Sequence, residues 1–423
     1  MTVELRYHHQ GLKVELPEDQ LTLIRQQEQP ALPHEYAAFE AAVGAPVNCQ
    51  PLEQIVQHGH TVALIIPDGT RPLPSGKLLG FLFRYLKSKK HVRYRIILGT
   101  GSHRANTAAE LVELLGEEIV GRYEIINHNA FDKASMACVG TRDGGEVWMN
   151  KAAVEADVRI ALGFIEPHLW AGFSGGYKAV MPGITDIDTI GHYHRGEMIT
   201  DSRSGWGRLK DNPTQELVRR YGQLLPIDFL INIAMNQQRE TVAFYCGHPI
   251  KAHERGCEAV KENCMMPLKQ RFPIVITTNN GFPLDQNLYQ AGKGLSAAAQ
   301  IVAPGGLIIL ACACSDGFPN GSHFHRILTS HDSPAAILQS LNTPGFQVAD
   351  QWSVHFLANL LMQYRVALYS MLPEEAVRAA HLTPIDDIGA YVEAEFDRLG
   401  RRVPIAVLPE GFLCIPYIAD STS

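Results

Sequence analysis

Apolar residues fall along this chain of 423 residues in short unbroken runs, each followed by a glycine- or proline-bearing loop and then by a stretch with helical spacing. Thr61–Pro67 (TVALIIP) reads as a buried strand, DGTRPLP as the loop after it, and residues 75–90 as an amphipathic helix. The unit then repeats. Residues 94–98 form a second strand, residues 99–104 a glycine-containing loop, and Thr107-Ala-Ala-Glu110 a capping box opening a helix that runs to Leu115. Residues 156–164 (ending ALGF) and Phe229–Met235 (FLINIAM) are further strands. Strand, loop, helix and strand in succession predict a parallel sheet.

After Cys264-Met-Met-Pro267 the pattern restarts, with a strand at 273–278, a loop through 279–287, a helix at 293–300 and a strand at 306–314. Helices are predicted at Pro334–Leu341, 352–362, 373–380 and 385–399, with a late strand at Ile405–Leu408. The fold class is therefore α/β: two α/β domains with mainly parallel sheets and an active-site cleft between them. Residues 1–267 are assigned to an N-terminal cofactor-binding catalytic domain and 268–405 to a C-terminal α/β domain. Residues 406–423 are a tail expected to pack back on the first domain.

Composition narrows the function. A hydrophobic content of 46% with 19% charged residues is that of a globular protein. The net charge of −7, without a dense block of Lys and Arg, argues against a nucleic-acid surface. The start of the chain lacks the basic and apolar regions of a signal peptide, and no apolar run reaches the roughly 18–20 residues of a membrane span. No membrane association is expected. Eight scattered cysteines without CxxC pairs suit free, mostly buried thiols in a cytoplasmic protein.

In open α/β sheets ligands sit outside the carboxyl ends of the strands, so the polar loops there hold the candidate residues. In the first loop, Asp68 and Arg71 share a short turn, where a carboxylate can aim a guanidinium at an anion or hydroxyl. In the second, Gly99, Thr100 and Gly101 allow close backbone approach to an anion, and His103 follows where the chain turns towards a helix. It is not the GxGxxG dinucleotide fingerprint, because Arg104 stands where a third glycine would be needed.

The third loop carries His168, then Ser174, Gly175 and Gly176, rich in N–H donors, and Lys178, an amine suited to neutralise a phosphate or to serve as an attachment point. Ala179 after the lysine excludes the nucleoside-triphosphate P-loop pattern. His192 and His194 face one side if extended and diverge if helical. A three-histidine zinc site including His168 is conceivable, and neutral imidazole suits nickel and copper equally. A fourth loop, in the second half, offers Tyr289, Gln290 and Lys293, the last placed to hold a carboxylate.

Taken in order, DGTRP, GTGSHR, EPHLWAGFSGGYKAVMPG, TIGHYH, LYQAGKG and DQW resemble the lactate racemase family over roughly residues 60–360, the block from His168 to Gly183 being the most specific. The resemblance implies a nickel-pincer nucleotide, nickel pyridinium-3,5-bisthiocarboxylic acid mononucleotide, joined to Lys178 through a thioamide, with His194 as the protein ligand to nickel. In the family an Asn usually precedes that ligand, where Tyr193 stands here, so His192 is the other candidate. By the same resemblance His103 and His168 are the acid/base pair, Arg71 contacts the reacting oxygen and Asp68 orients it. Tyr289, Lys293, Trp352 and Gln290 hold a small 2-hydroxy acid, and dedicated enzymes make the cofactor. Backbone donors around Gly99–Gly101 and Ser174–Gly176 are read, from their glycine chemistry, as the phosphate site.

Such an enzyme inverts C2 by hydride transfer to the cofactor through a 2-keto acid, because the α-hydrogen beside a carboxylate is poorly acidic. Imidazole, with an unperturbed pKa of about 6.5, exchanges protons near neutrality. Lactate comes first among substrates; malate, phenyllactate and sugar acids are alternatives within the family. Rival readings are a nicotinamide-dependent 2-hydroxy-acid dehydrogenase and a non-catalytic cofactor- or hydroxy-acid-binding protein.

Overall fold

The computed structural model describes residues 1–193, 198, 201, 203–318, 322–343, 346, 348 and 350–419. The chain separates into two units, Glu28–Glu262 and Met1–Gln27 with Asn263–Ser423.

In the first unit six strands lie in the order Thr241–Gly247, Phe229–Met235, Val158–Phe164, Thr61–Pro67, Arg93–Gly99 and Glu124–Asn127. All neighbours are parallel except the first pair. That pair is a hairpin: a five-residue connection, with the Asn236 side chain accepting from the amides of Gln238 and Glu240, leaves no length for a crossover helix. The central strands are apolar throughout because both faces are covered. Leu64, Ile96, Ile160 and Ile231 pack on one side with Phe39, Leu78 and Leu82. Ile65, Ala161 and Leu230 pack on the other with Tyr177 and Leu217. The capping box forms as read, Thr107 and Glu110 exchanging hydrogen bonds at the start of Ala108–Leu115. The helix predicted over 75–90 ends at Tyr85, before the polar Lys87–Lys90 segment.

The order of the strands decides where a ligand can bind. The chain lays down Thr61–Pro67, builds outwards through two strands on one side, then returns to place Val158–Phe164 on the other. At that reversal the loops leaving two neighbouring parallel strands diverge, which opens a crevice at their carboxyl ends.

The second unit repeats the device with all strands parallel, in the order Thr383–Ile385, Arg365–Tyr369, Val302–Ala311, Phe272–Thr278, Ile405–Leu408 and Leu21–Leu23. Here the reversal falls between Phe272–Thr278 and Ile405–Leu408.

Two domain assignments are corrected. Residues 1–27 belong to the second unit, not the first. Leu21–Leu23 is the edge strand beside Ile405–Leu408, and the hairpin Thr2–Leu5/Leu12–Glu15 contributes Val3, Leu5, Val14 and Leu16 to the core containing Ile274, Ile309 and Val407. The tail also stays in the second unit, where Ile415–Ile418 pairs with Met265–Leu268. Periodicity reports which segments are strands but not which distant strand each one joins.

All eight cysteines are free thiols, six of them buried. Among the described residues no helix is long and apolar enough to cross a membrane.

Leu5 is fully buried, so Leu5→Ala is expected to destabilise the second unit by about 2–5 kcal/mol. Urea unfolding followed by circular dichroism would show this as a lowered midpoint, and an unchanged midpoint would detach the N-terminal hairpin from that core.

Candidate active site

Asp68 is the first residue beyond Thr61–Pro67 and is only 3% exposed. Its Oδ1 accepts the Thr70 hydroxyl at 2.6 Å, and its Oδ2 lies 2.7 Å from Nδ1 of His103, which follows the neighbouring strand Arg93–Gly99. Burial raises the carboxyl pKa. The charge and hydrogen bond of His103, the charge of Arg71 and the hydrogen bond of Thr70 outweigh that effect and hold it below its ordinary value. An ionised carboxylate can only accept, so Nδ1 of His103 donates.

Arg71 donates from Nη1 to the Thr70 hydroxyl at 2.9 Å and to the Thr70 carbonyl at 3.3 Å. The expectation that Asp68 aims Arg71 is thus corrected. His103 and Thr70 take the two carboxylate oxygens, and Arg71 is steadied through Thr70.

Val158–Phe164, on the other flank of Thr61–Pro67, leads into the two-residue strand Pro167–His168, paired antiparallel with Gly172–Phe173. In the tight reversal between them, Nδ1 of His168 accepts the amide N–H groups of Trp170 and Ala171, each at 3.2 Å. Asp68, His103 and His168 therefore sit beyond the carboxyl ends of three adjacent parallel strands.

The glycine loops hydrogen-bond within the fold. The Ser174 amide donates to the Glu166 carbonyl, Gly176 to Asn232 Oδ1, Thr100 to the Leu98 carbonyl and Gly101 to the Gly183 carbonyl, at 2.9–3.0 Å. These four N–H groups are engaged inside the fold. Gly175 and Gly176 have φ of 84° and 57°, and a Cβ would lie 2.6 Å from Asn232 Oδ1 or 2.8 Å from the His253 ring. Close packing against buried side chains requires glycine here.

Lys178 sits on the single turn Gly176–Ala179, with Nζ donating to the Tyr193 hydroxyl at 2.9 Å and 4.9 Å from that ring's centroid. Burial pushes the Tyr193 hydroxyl up, so it stays neutral. A half-buried primary amine on a rigid turn, held by a neutral phenol, fits a covalent attachment point.

His194 lies outside the described residues. His192, on Ile187–Tyr193, has Nδ1 3.5 Å from the Tyr221 hydroxyl, which donates to Asp143. Among the described residues no three His, Cys, Asp or Glu side chains gather as a metal site, so the three-histidine zinc arrangement is not formed by them.

In the second unit, Trp352 is buried and donates from Nε1 to the Tyr289 hydroxyl at 3.1 Å. Gln290 is also buried, its amide on Asn287 Oδ1. The Lys293 ammonium stands 4.9 Å from the Phe412 ring centroid. Lys293 follows Phe272–Thr278 and Phe412 follows Ile405–Leu408, so they meet at that unit's own strand-order reversal. Sequence reasoning missed Phe412, and it also missed Asn232 and His253, whose only trace is the glycines they press against.

Two doubly wound units, with a histidine–carboxylate pair beside an arginine at one reversal point, define an α/β enzyme, and its relatives make it an isomerase of the racemase type. The chain belongs to the lactate racemase family: the lactate racemase N-terminal domain matches residues 7–207 and the lactate racemase C-terminal domain residues 268–415. The lactate racemase of Lactiplantibacillus plantarum is 34% identical over 381 residues, covering 89% of this chain and 90% of that protein. That of Thermoanaerobacterium thermosaccharolyticum is 31% identical over 417 residues, covering 97% of each. The solved apoprotein structure of the latter superposes with a TM-score of 0.90 over 98% of this chain and all of that one, at 30% identity. A Thermotoga maritima protein shares the fold, with a TM-score of 0.72 over 93% of this chain and all of that one, at 19% identity.

Burial lowers His253 from 6.5 to about 4, while its Nε2 donates to the Ser174 carbonyl at 2.8 Å. Between these values the unfolded chain binds the extra proton, so the contribution of neutral His253 is complete above pH 6.5 and lost as pH falls towards 4. It amounts to about 3 kcal/mol at most. Urea unfolding at pH 7 and pH 5 should show a smaller acid loss in His253→Gln than in the wild type. Equal losses would remove His253 as a source of acid sensitivity.

Proposed function

We propose that this chain inverts the C2 carbon of a small 2-hydroxy acid, lactate first, using a nickel-pincer nucleotide attached to Lys178. The observation that carries the reading is the pairing of buried Asp68 with half-buried His103 at 2.7 Å, with Arg71 in the same turn as the carboxylate. It is a base whose positive form is compensated, beside a cation suited to a polarised oxygen. Membership of the lactate racemase family and the names of both relatives support the substrate class.

When bound, the cofactor supplies an electron-poor centre that takes up and returns the α-hydrogen as hydride, a reactivity that side chains lack. The protein's part is to move the hydroxyl proton and hold the oxygen. His103 accepts the proton, and Asp68 faces the imidazolium that results. Arg71, steadied by Thr70, holds the oxygen as it gains carbonyl character, and His168 lies at the end of the neighbouring strand. Lys178 supplies the amine for attachment, and His194 is the proposed protein ligand to nickel.

The test is protein co-expressed with cofactor-synthesis enzymes and assayed on both enantiomers of lactate, then malate, phenyllactate and gluconate, without added nicotinamide. Racemisation is expected with lactate. Fully loaded protein that inverts none of these acids would overturn the reading. His103→Ala and His168→Ala should each lose about 10²–10⁴-fold in turnover while intact-mass analysis still shows the adduct. Unimpaired turnover would remove that histidine from the chemistry. In Lys178→Ala the adduct should be absent, and its persistence would refute attachment there.

A further inference from the structure

We infer that Asp285 is a positioning residue for the loop that presents Tyr289, Gln290 and Lys293, tying it to the N-terminal hairpin and to the end of a central strand of the second unit. That the loop meets substrate rests on the racemase reading, whereas the tie rests on contacts within the second unit alone.

Asp285 lies in the turn after Phe272–Thr278 and is fully buried. Its Oδ2 accepts two backbone amides from distant parts of the chain, that of His8 at 2.7 Å and that of Ala313 at 3.2 Å. His8 is in the reversal of the hairpin Thr2–Leu5/Leu12–Glu15, and Ala313 lies just beyond Val302–Ala311. The Asp285 carbonyl accepts the Cys314 amide at 2.8 Å and the Cys312 thiol at 3.5 Å. One buried residue thus joins three segments.

Two seams extend from it. On the hairpin side, the Phe282 amide donates to the His8 carbonyl at 3.0 Å, and the His9 and Phe282 ring centroids are 4.2 Å apart. On the strand side, the Asp316 amide donates to the Gln286 carbonyl at 2.7 Å, and the Leu288 amide to the Gly317 carbonyl at 3.3 Å. Of these contacts, only the Asp285 carboxylate reaches both sides. Between Thr278 and Gly292 the chain forms neither strand nor helix, so no ladder of its own holds it. Tyr289 follows Leu288 directly, and the positions of Tyr289 and Lys293 are inherited from the tie.

The tie is a matter of geometry rather than charge. Two buried amides need one acceptor oxygen, which a carboxamide supplies as well as a carboxylate does, and leaving them without one is costly. The other carboxylate oxygen, Oδ1, is buried without a hydrogen bond, so replacing it with an amide group breaks none. Asparagine should therefore preserve the loop, and alanine should release it. Release displaces Lys293 from the substrate carboxylate while leaving the proton-moving groups of the first unit untouched, which weakens binding more than turnover.

The test has two arms. In the full-length chain without cofactor, hydrogen–deuterium exchange is followed by mass spectrometry in the wild type, Asp285→Asn and Asp285→Ala. Asp285→Ala should exchange faster at residues 7–9, 281–293 and 312–317 with the first unit unchanged, and Asp285→Asn should match the wild type. Unchanged exchange in Asp285→Ala, or equal acceleration in Asp285→Asn, overturns the tie whether or not the protein racemises anything. Should Asp285→Ala not fold, Asp285→Ser, one atom shorter than aspartate, takes its place.

In loaded protein, Asp285→Ala should raise KM for lactate about tenfold or more with kcat within about threefold of the wild type, and Asp285→Asn should restore KM. Intact-mass analysis should show the same adduct in all three. A loss confined to kcat, or no recovery in Asp285→Asn, overturns the positioning role. Failure of racemisation in the wild type counts against the function and leaves the exchange measurement to decide the tie.

Discussion

The reversal of strand order is the constraint on which the rest depends. Parallel neighbours can be joined only by crossovers, so a chain that begins in mid-sheet must build one flank and then come back for the other. In the first unit the returning strand is Val158–Phe164, and its arrival beside Thr61–Pro67 puts Glu166–His168 beyond the carboxyl end of the strand neighbouring the one that leads to Asp68. Arg93–Gly99, on the opposite flank, delivers His103. His103, 35 positions from Asp68, meets it because of sheet topology, with no local sequence signal for the encounter.

Burial then gives the encounter its force. A carboxylate as enclosed as Asp68 is tolerated only with its oxygens satisfied, and a partner's removal leaves a charge away from water. Thr70 and His103 satisfy them, Arg71 adds a neighbouring positive charge, and the loop conformation follows from those demands. The same contacts that stabilise the turn fix the ring of His103. Loss of the carboxylate would therefore release both the turn and the ring.

Strands were legible because burial on both faces leaves uninterrupted apolar runs, and Thr61–Pro67, Phe229–Met235 and Ile405–Leu408 agree with the structure at both ends. The capping box was legible because its hydrogen bonds span only three residues. Pairing was not: nothing local in Leu21–Leu23 points to a partner almost 400 residues away. At the site, the loops after the strands could be found from topology alone, but their internal contacts could not. Glycine signals that something comes close without saying what. At Gly175 and Gly176 it is Asn232 and the His253 ring rather than a ligand, and His253 lies on a helix whose sequence has no unusual feature.

The return of residues 1–27 to the second unit has a bearing on how the protein is made. Glu28–Glu262 is one continuous stretch and has all its strands once residue 262 has emerged from the ribosome. The N-terminal hairpin and Leu21–Leu23, though synthesised first, wait for Phe272–Thr278 and then Ile405–Leu408 before their own core exists. At typical elongation rates of about 5–20 residues per second that delay lasts tens of seconds. Throughout it, Val3, Leu5, Val14 and Leu16 have no permanent cover, which makes the earliest part of the nascent chain the one most in need of a chaperone.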